Sequence, residues 1–257
     1  VIGTEAEARD RASAAVRQVP ALAYPQFLVF RHRRKSVSCC LFHQSQAATM
    51  QNSSENHRIA ICDPVLRAMF DARKRVFVDL LKWEVPILDD AYEIDQFDTP
   101  EAVYIVLTGE CGAHRASARL LRTDRSHILG GLFPVLCYGP VPVGDDLREI
   151  TRFCIEPTLT RIERRLARNQ LVTALVDHAR AYGISGYTAV ATRGWFDQIS
   201  NFGWRCRALG PGSRIGSENL VALEIGIDRD TAEDLSRGGV YLQASYRVAG
   251  PKLELAA

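Results

Sequence analysis

Charge sits where a folded chain would resist it. Arg148-Glu149-Ile150-Thr151-Arg152-Phe153-Cys154-Ile155 is rich in β-branched and aromatic residues, and Pro157 ends it. It is predicted to be a strand. Strict alternation would put Ile150, Arg152 and Cys154 on one face and Glu149, Thr151 and Phe153 on the other. A charge then lies among apolar neighbours on each face, and a central strand buries charge only beside a partner. The plain reading is a structural ion-pair network; the sharper one is a site for a charged substrate.

Matching charges occur elsewhere. Arg73 falls inside the helical stripe Leu66, Met69, Phe70, Phe77 and Leu80. Its side chain either snorkels to solvent or points at an anion in the interior. The loop 85–98 carries Asp89, Asp90, Glu93, Asp95 and Asp98. Most loop acids are solvated, but Asp95 and Asp98 flank Phe97 and suit a partly buried turn facing cations. Arg119 lies near the end of a second predicted strand.

Motifs for other chemistries are missing. The chain has no G-x-S-x-G elbow, no Walker loop and no G-x-G-x-x-G. Its six histidines form no H-E-x-x-H, and no Cys/His cluster has zinc spacing, so no metal site is expected. The seven cysteines are scattered apart from the adjacent Cys39 and Cys40, a usage that suits reduced thiols in a cytoplasm.

The elements that must position these groups follow in order. His57–Cys62 is predicted as a short strand. Asp63 then caps a helix with Pro64 at its first position, closed by Trp83. Strands follow at 101–108 and 114–122 around a glycine turn, then a short helix or loop over 132–136. After the 148–155 strand comes a long helix over 160–182, with Leu166, Leu171, Leu175 and Val176 as its core stripe and Gly183 as its cap. A strand over 187–192, a helix over 195–202 and a strand over 220–227 complete the body. This order predicts an α/β (α+β) single domain with a mixed sheet flanked by helices.

Composition sets the bounds. The 257 residues are 47% hydrophobic and 24% charged with a formal net charge of +2, which suits a soluble globular protein. No apolar run is long enough to span a membrane. Residues 1–49 differ: they hold seven Lys and Arg against three acids. They are expected to be a disordered extension, with residues 50–257 as the working domain. The basic run Arg31–Lys35 could contact nucleic acid, but the rest of the chain is slightly acidic and shows no basic or aromatic stripe, so no nucleic-acid partner is expected.

One ordered constellation resembles a known family, the LuxI-type acyl-homoserine lactone synthases. It comprises Arg73 and Phe77, Trp83, Glu93-Ile94-Asp95 with Asp98, Arg119, Phe133-Pro134, Glu149-x-Thr151-Arg152-Phe153, Gly194 and Gly210-Pro211. The resemblance runs from about Gln51 to Ile227. It implies a fold of the GNAT N-acetyltransferase type. It also implies a cytoplasmic acyltransferase that makes a quorum-sensing signal. A fatty acyl group on acyl carrier protein passes to the amine of S-adenosylmethionine, and the carboxylate then displaces methylthioadenosine to close the lactone. S-adenosylmethionine is a substrate, and no cofactor or metal is implied.

On this resemblance Glu149 and Arg152 are the catalytic candidates, Glu149 as base or as the group positioning the amine. Arg73, Asp95, Asp98 and Arg119 would orient the substrate, and Phe77, Trp83 and Phe153 would offer aromatic surface. Glu149 and Arg152 face opposite ways on a regular strand, so a bulge is needed to bring both into one site. Phe133 and Ala191 are assigned to the acyl pocket. The basic start of the long helix, Arg161, Arg164, Arg165 and Arg168, would dock the acidic carrier protein. Two rivals remain, an acetyl-CoA-dependent N-acetyltransferase and a non-catalytic binding protein. The first usually carries a glycine-bearing pyrophosphate loop at the start of the long helix, and the stretch 160–167 has no glycine.

Overall fold

The structure is a computed structural model. It describes residues 64–109 and 112–242, and the backbone of strands at 27–32, 38–42 and 246–249. The predicted strand at 57–62, the Asp63 cap, Arg33–Lys35 and most of residues 1–49 lie outside the described residues. So do the side chains of Cys39, Cys40, Cys62 and Cys111.

A mixed sheet forms the centre. Its strands are β1 (Phe27–His32), β2 (Ser38–Phe42), β5 (Val103–Thr108), β6 (His114–Arg122), β7 (Leu147–Ile155), β8 (Gly186–Thr192), β9 (Arg205–Ala208), β10 (Ser213–Ile215), β11 (Glu218–Gly226) and β12 (Tyr246–Ala249). The spatial order is β10-β11-β8-β7-β6-β5-β2-β1-β12, with β9 also on β11. β3 (Ile87–Leu88) and β4 (Tyr92–Glu93) form a separate ribbon. β1 and β2 fall within the segment 1–49 and extend the sheet from β5.

β7 and β8 pair in parallel, whereas the other pairs of the sheet are antiparallel. A parallel pair needs a crossover, supplied here by α3 (Arg161–Tyr182). Thr160 and Glu163 close its start as a capping box, and Gly183 ends it at φ 66°. The β7–β8 pairing stops at Ile150 and Ala189, although both strands continue. The two strands therefore part toward the C-terminal end of β7.

Each face of the sheet has its own core. Beneath α3, Leu171, Leu175 and Val176 pack with Ile150, Ala189 and Ala191, with Ile199 of α4 (Arg193–Ser200) and with Leu235 of α5 (Thr231–Arg237). Leu166 was expected in this stripe and is instead 42% exposed. Ala167 takes the buried position, because the helix meets the sheet one residue further round. On the opposite face α1 (Pro64–Arg73) packs Leu66, Met69 and Phe70 against Tyr104, Val106 and Ile128, the last from α2 (Ile128–Leu132).

Beyond Arg73 the helix widens into a π-helical stretch, Lys74–Leu80. Leu81 N–H reaches the carbonyl of Val76, and Trp83 N–H that of Phe77 at 2.8 Å. The wider turn shifts the phase, so Phe77 remains buried while Leu80, expected in the stripe, is 61% exposed. No described helix is long and apolar enough to cross a membrane.

Candidate active site

The site begins with a register change in β7. Arg119 of β6 opposes Thr151 and Ser117 opposes Cys154, so two residues of β7, Arg152 and Phe153, face one of β6. Arg152 takes φ +48°, which accommodates the extra residue at some backbone cost. Before the bulge, Glu149 and Thr151 face α1 and α2 while Ile150 faces α3. After it the parity is reversed. Cys154 packs with Ala72 and Phe77 beside α1, whereas Phe153 and Ile155 pack beneath α3. Strict alternation therefore fails, and Arg152 joins Glu149 and Thr151 on one face. Phe153 points away from them and lies 5.5 Å from the Trp195 ring.

Three guanidinium groups and three carboxylates meet on that face. Arg73 donates from Nε to Glu93 at 2.6 Å and from Nη1 and Nη2 to both oxygens of Asp98 at 2.8 Å. It is 1% exposed, so it does not snorkel. Arg119 donates to Asp95 at 2.6 and 3.0 Å and to Thr151 Oγ1 at 2.9 Å, and its Nη1 lies 2.7 Å from Asp98. Arg152 donates to Glu93 at 2.9 Å and to Asp95 at 2.6 Å. Tyr104 adds a hydroxyl to Asp98 at 2.7 Å.

Local sequence builds the acidic half. Asp95 N–H donates to Asp98 Oδ2, and Phe97 N–H donates back to Asp95 Oδ1, both at 2.8 Å. The two aspartates thus shape their own turn while presenting their remaining lone pairs to arginine. Burial opposes ionisation of Asp98, but Arg119 and Arg73 outweigh it and hold the carboxyl far below the usual range. Asp95 moves the same way, with Arg119 the main opponent of burial. Full pairing is what allows so many charges in a dry interior.

Aromatic rings cover the outer side. Phe77 and Trp83 stack at 4.8 Å, and the Arg152 guanidinium lies 5.5 Å from Phe77 and 5.8 Å from Trp83. Trp83 is 40% exposed, so the cage reaches solvent at this end. Arg73 and Arg119 are enclosed, and their charges are met by the protein's own acids.

Glu149 stands apart from the ion pairs. Its Oε2 accepts from the Ile128 N–H and its Oε1 from the Leu129 N–H, each at 2.7 Å. A carboxylate placed on the first amides of α2 satisfies orphan donors there. Burial raises its ionisation range against the pull of these two amides.

Most of the expected residues come together. Arg73, Phe77, Trp83, Asp95, Asp98, Arg119 and Arg152 form one cage, with Glu149 on the same face. Phe133 packs between α2 and the β8–β11 side of that face, while Ala191 lies in the core beneath α3. The two acyl-pocket candidates are thus on opposite faces of the sheet and do not touch a common wall. Arg161, Arg164 and Arg165 are exposed on α3, whereas Arg168 bonds Asn169 and stacks 4.7 Å over Phe202. Glu93 and Tyr104 are cage members that received no role from the sequence. Glu93 stands in the family constellation, and its alternation with Asp95 in Glu-Ile-Asp puts both on one side. Tyr104 carries no such signal. Among the described residues no group of His, Cys, Asp and Glu could hold a metal ion.

The autoinducer synthase family matches residues 60–235, the span that contains the whole cage. The chain belongs to the autoinducer synthase family. It is an enzyme, an acyl-homoserine-lactone synthase. An acyl-homoserine-lactone synthase of Ralstonia nicotianae is 31% identical over 195 residues, covering 73% of this chain and 92% of that one. TofI, solved in a ternary complex with an inhibitor and MTA, is 26% identical with a TM-score of 0.58, covering 66% of this chain and 88% of that one. BjaI, described as a CoA-dependent acyl-homoserine lactone synthase and solved with SAM and isopentyl-CoA, is 24% identical with a TM-score of 0.63 over 74% of this chain and 88% of that one. This autoinducer synthase shares the fold of TofI, a mixed central sheet flanked by helices.

Proposed function

We propose that this enzyme transfers a fatty acyl group from acyl carrier protein to the amine of S-adenosylmethionine and then closes the lactone with loss of methylthioadenosine. The observation that carries the reading is the neutral cage on bulged β7, opening to solvent at Arg152 and Trp83. Arg152 is the cage cation nearest that opening and suits the substrate carboxylate. The exposed indole offers a flat face to adenine. The same carboxylate must attack the carbon next to sulfur, so holding it in place serves lactone closure. Orientation of an intramolecular step can supply up to roughly 7–11 kcal/mol.

A carrier-bound donor fits α3 better than CoA does. The Thr160–Glu163 capping box occupies the first turn with a carboxylate and uses the Thr160 and Glu163 amides. A diphosphate seeking a helix N-terminus would meet that negative charge. Beside it, Ile162 (76% exposed) and Leu166 (42%) lie among Arg161, Arg164 and Arg165. Apolar side chains rimmed by positive charge suit an acidic helical protein. The parting of β7 from β8 supports a path for the acyl chain between the two strands toward the core that contains Ala191. We take residues 50–257 as the catalytic unit, a span that includes the family match. Both substrates are cytoplasmic, and we place the enzyme there.

The test is direct. Purified enzyme with S-adenosylmethionine and acyl-carrier protein should release methylthioadenosine and free thiol and yield the lactone. Acyl-CoA of the same chain, run in parallel, should give a much lower kcat/KM. A preference for acyl-CoA would reverse the donor assignment, and no lactone from either donor would reject the reaction.

A further inference from the structure

Two buried polar atoms beside Glu149 have no hydrogen-bond partner: His127 Nε2 and Thr188 Oγ1. His127 is 5% exposed and Thr188 0%. Buried polar groups are paired as a rule, so two orphans near one carboxylate call for a partner, a water or a ligand group.

Chain geometry places the three together. Thr188 is the register partner of Glu149 across β7 and β8, so both side chains leave the sheet on the same face, on strands roughly 4.8 Å apart. His127 directly precedes Ile128 and Leu129, whose amides Glu149 accepts. The imidazole is close enough to Glu149 to act on its ionisation, as is Arg119.

The tautomer of His127 follows from its one visible bond. Nδ1 lies 2.7 Å from the Arg125 carbonyl, which can only accept. In the neutral ring Nδ1 therefore carries the proton and Nε2 the lone pair. The ring packs over the first turn of α2, where a Cβ at Gly130 would come within 2.6 Å of its Cε1. The glycine keeps that space open for the imidazole.

An uncharged amine presents two N–H donors and one lone pair. Next to Glu149 in the fold, two acceptors are unpartnered, His127 Nε2 and the Thr188 hydroxyl oxygen. Glu149 has both oxygens engaged by α2, which leaves it less suited to take a proton and well suited to stabilise a cation beside it.

We propose that His127 is the base for the acylation step, holding the substrate amine together with Thr188. The proposal rests on the acyl-homoserine-lactone reading. The amine lone pair attacks the thioester carbonyl and forms the C–N bond. Nitrogen gives its proton to His127 Nε2. The tetrahedral intermediate collapses, the C–S bond breaks, and the imidazolium returns the proton to the leaving thiolate.

The experiment compares wild type with His127→Asn, His127→Ala and Thr188→Val. Asn keeps a donor for the Arg125 carbonyl and removes Nε2. Its kcat should fall about 100-fold, with KM for S-adenosylmethionine little changed. Added imidazole should restore turnover to the Ala variant, in proportion to its free-base fraction, and should do nothing for wild type. Thr188→Val should show a smaller loss of kcat. A folded Asn variant with near wild-type kcat overturns the proposal. So does a loss in both His127 variants with no imidazole rescue, which would mean that the ring only supports α2. Should the Ala variant fail to fold, the kcat of the Asn variant decides. A wild-type protein that makes no lactone counts against the functional reading instead, since the His127 comparison needs an active parent.

Discussion

Arg152 meets Asp95 at 2.6 Å because β7 holds one extra residue between Thr151 and Cys154. On a regular strand Arg152 would share a face with Ile150 and enter the core beneath α3. The bulge turns it to the face of Glu149 and Thr151, where the acids of the 93–98 segment wait. Backbone irregularity of this kind concentrates at functional sites, where the surrounding contacts must hold it in place.

The cage should dominate stability. Asp98 is shared by Arg73, Arg119 and Tyr104. Asp98→Asn removes the charge that two buried guanidiniums depend on, and should cost roughly 3–5 kcal/mol. Urea denaturation of the folded variant measures this. A loss under about 1 kcal/mol would mean that Glu93 and Asp95 neutralise the arginines without it.

Acid should release the same stabilisation. Asp98 and Asp95 have folded-state ranges below their unfolded value of about 3.9. For such groups the contribution is present above the unfolded value and is lost as pH falls toward the folded one. Glu149, raised by burial, works with the opposite sign and offsets part of the loss. The urea midpoint should therefore change little from pH 7 to about 5 and fall steeply below about 4. Asp98→Asn should show a shallower fall. Equal acid profiles for the two proteins would remove Asp98 from the account.

Glu149→Gln is a harsher change than its size suggests. Gln has one acceptor and one donor, whereas the α2 amides of Ile128 and Leu129 both need acceptors. One amide would face an N–H, at a cost of about 1–3 kcal/mol. Turnover should fall along with the thermal midpoint, because α2 and His127 shift together. A folded variant with near wild-type turnover would remove Glu149 from the reaction.

Charge reversal at Arg164 and Arg165 should raise KM for acyl-carrier protein and leave KM for S-adenosylmethionine alone. Both residues are exposed, so the effect should shrink as salt is added. Equal changes in the two KM values would argue against docking on α3.

Ala191 should favour an unsubstituted acyl chain. Its methyl lies in the core beneath α3, and Thr188 and Thr192 lie at odd spacings on the opposite face of β8. A 3-oxo oxygen buried there would lack a donor, at roughly 1–3 kcal/mol. Competition between matched carrier-bound chains should show higher kcat/KM for the unsubstituted one. Ala191→Thr should move the ratio toward 3-oxo, and a wild-type 3-oxo preference would reject the idea.

Sequence alone determined the parts list. Strand, helix and turn signals placed the β7 strand, α3 with its Gly183 cap and the β5–β6 hairpin within a few residues, because those patterns are local. Arg73 in its helical stripe and Arg152 in its strand were conspicuous for the same reason, since charge within an apolar pattern is visible in one dimension, whereas Asp95, Asp98 and Arg119 were joined to them by the family resemblance. What tertiary structure decided is where those charges point. Arg73 was open to snorkelling until packing enclosed it with Glu93 and Asp98. Leu80 and Leu166 left their stripes because a π-helical turn and the angle of helix on sheet depend on neighbours far along the chain. Arg152 and Phe153 exchanged faces through one inserted residue, whose position is set by pairing with β6. Glu149 became the support of α2 because a helix start 20 residues earlier in the chain needed acceptors for its first amides.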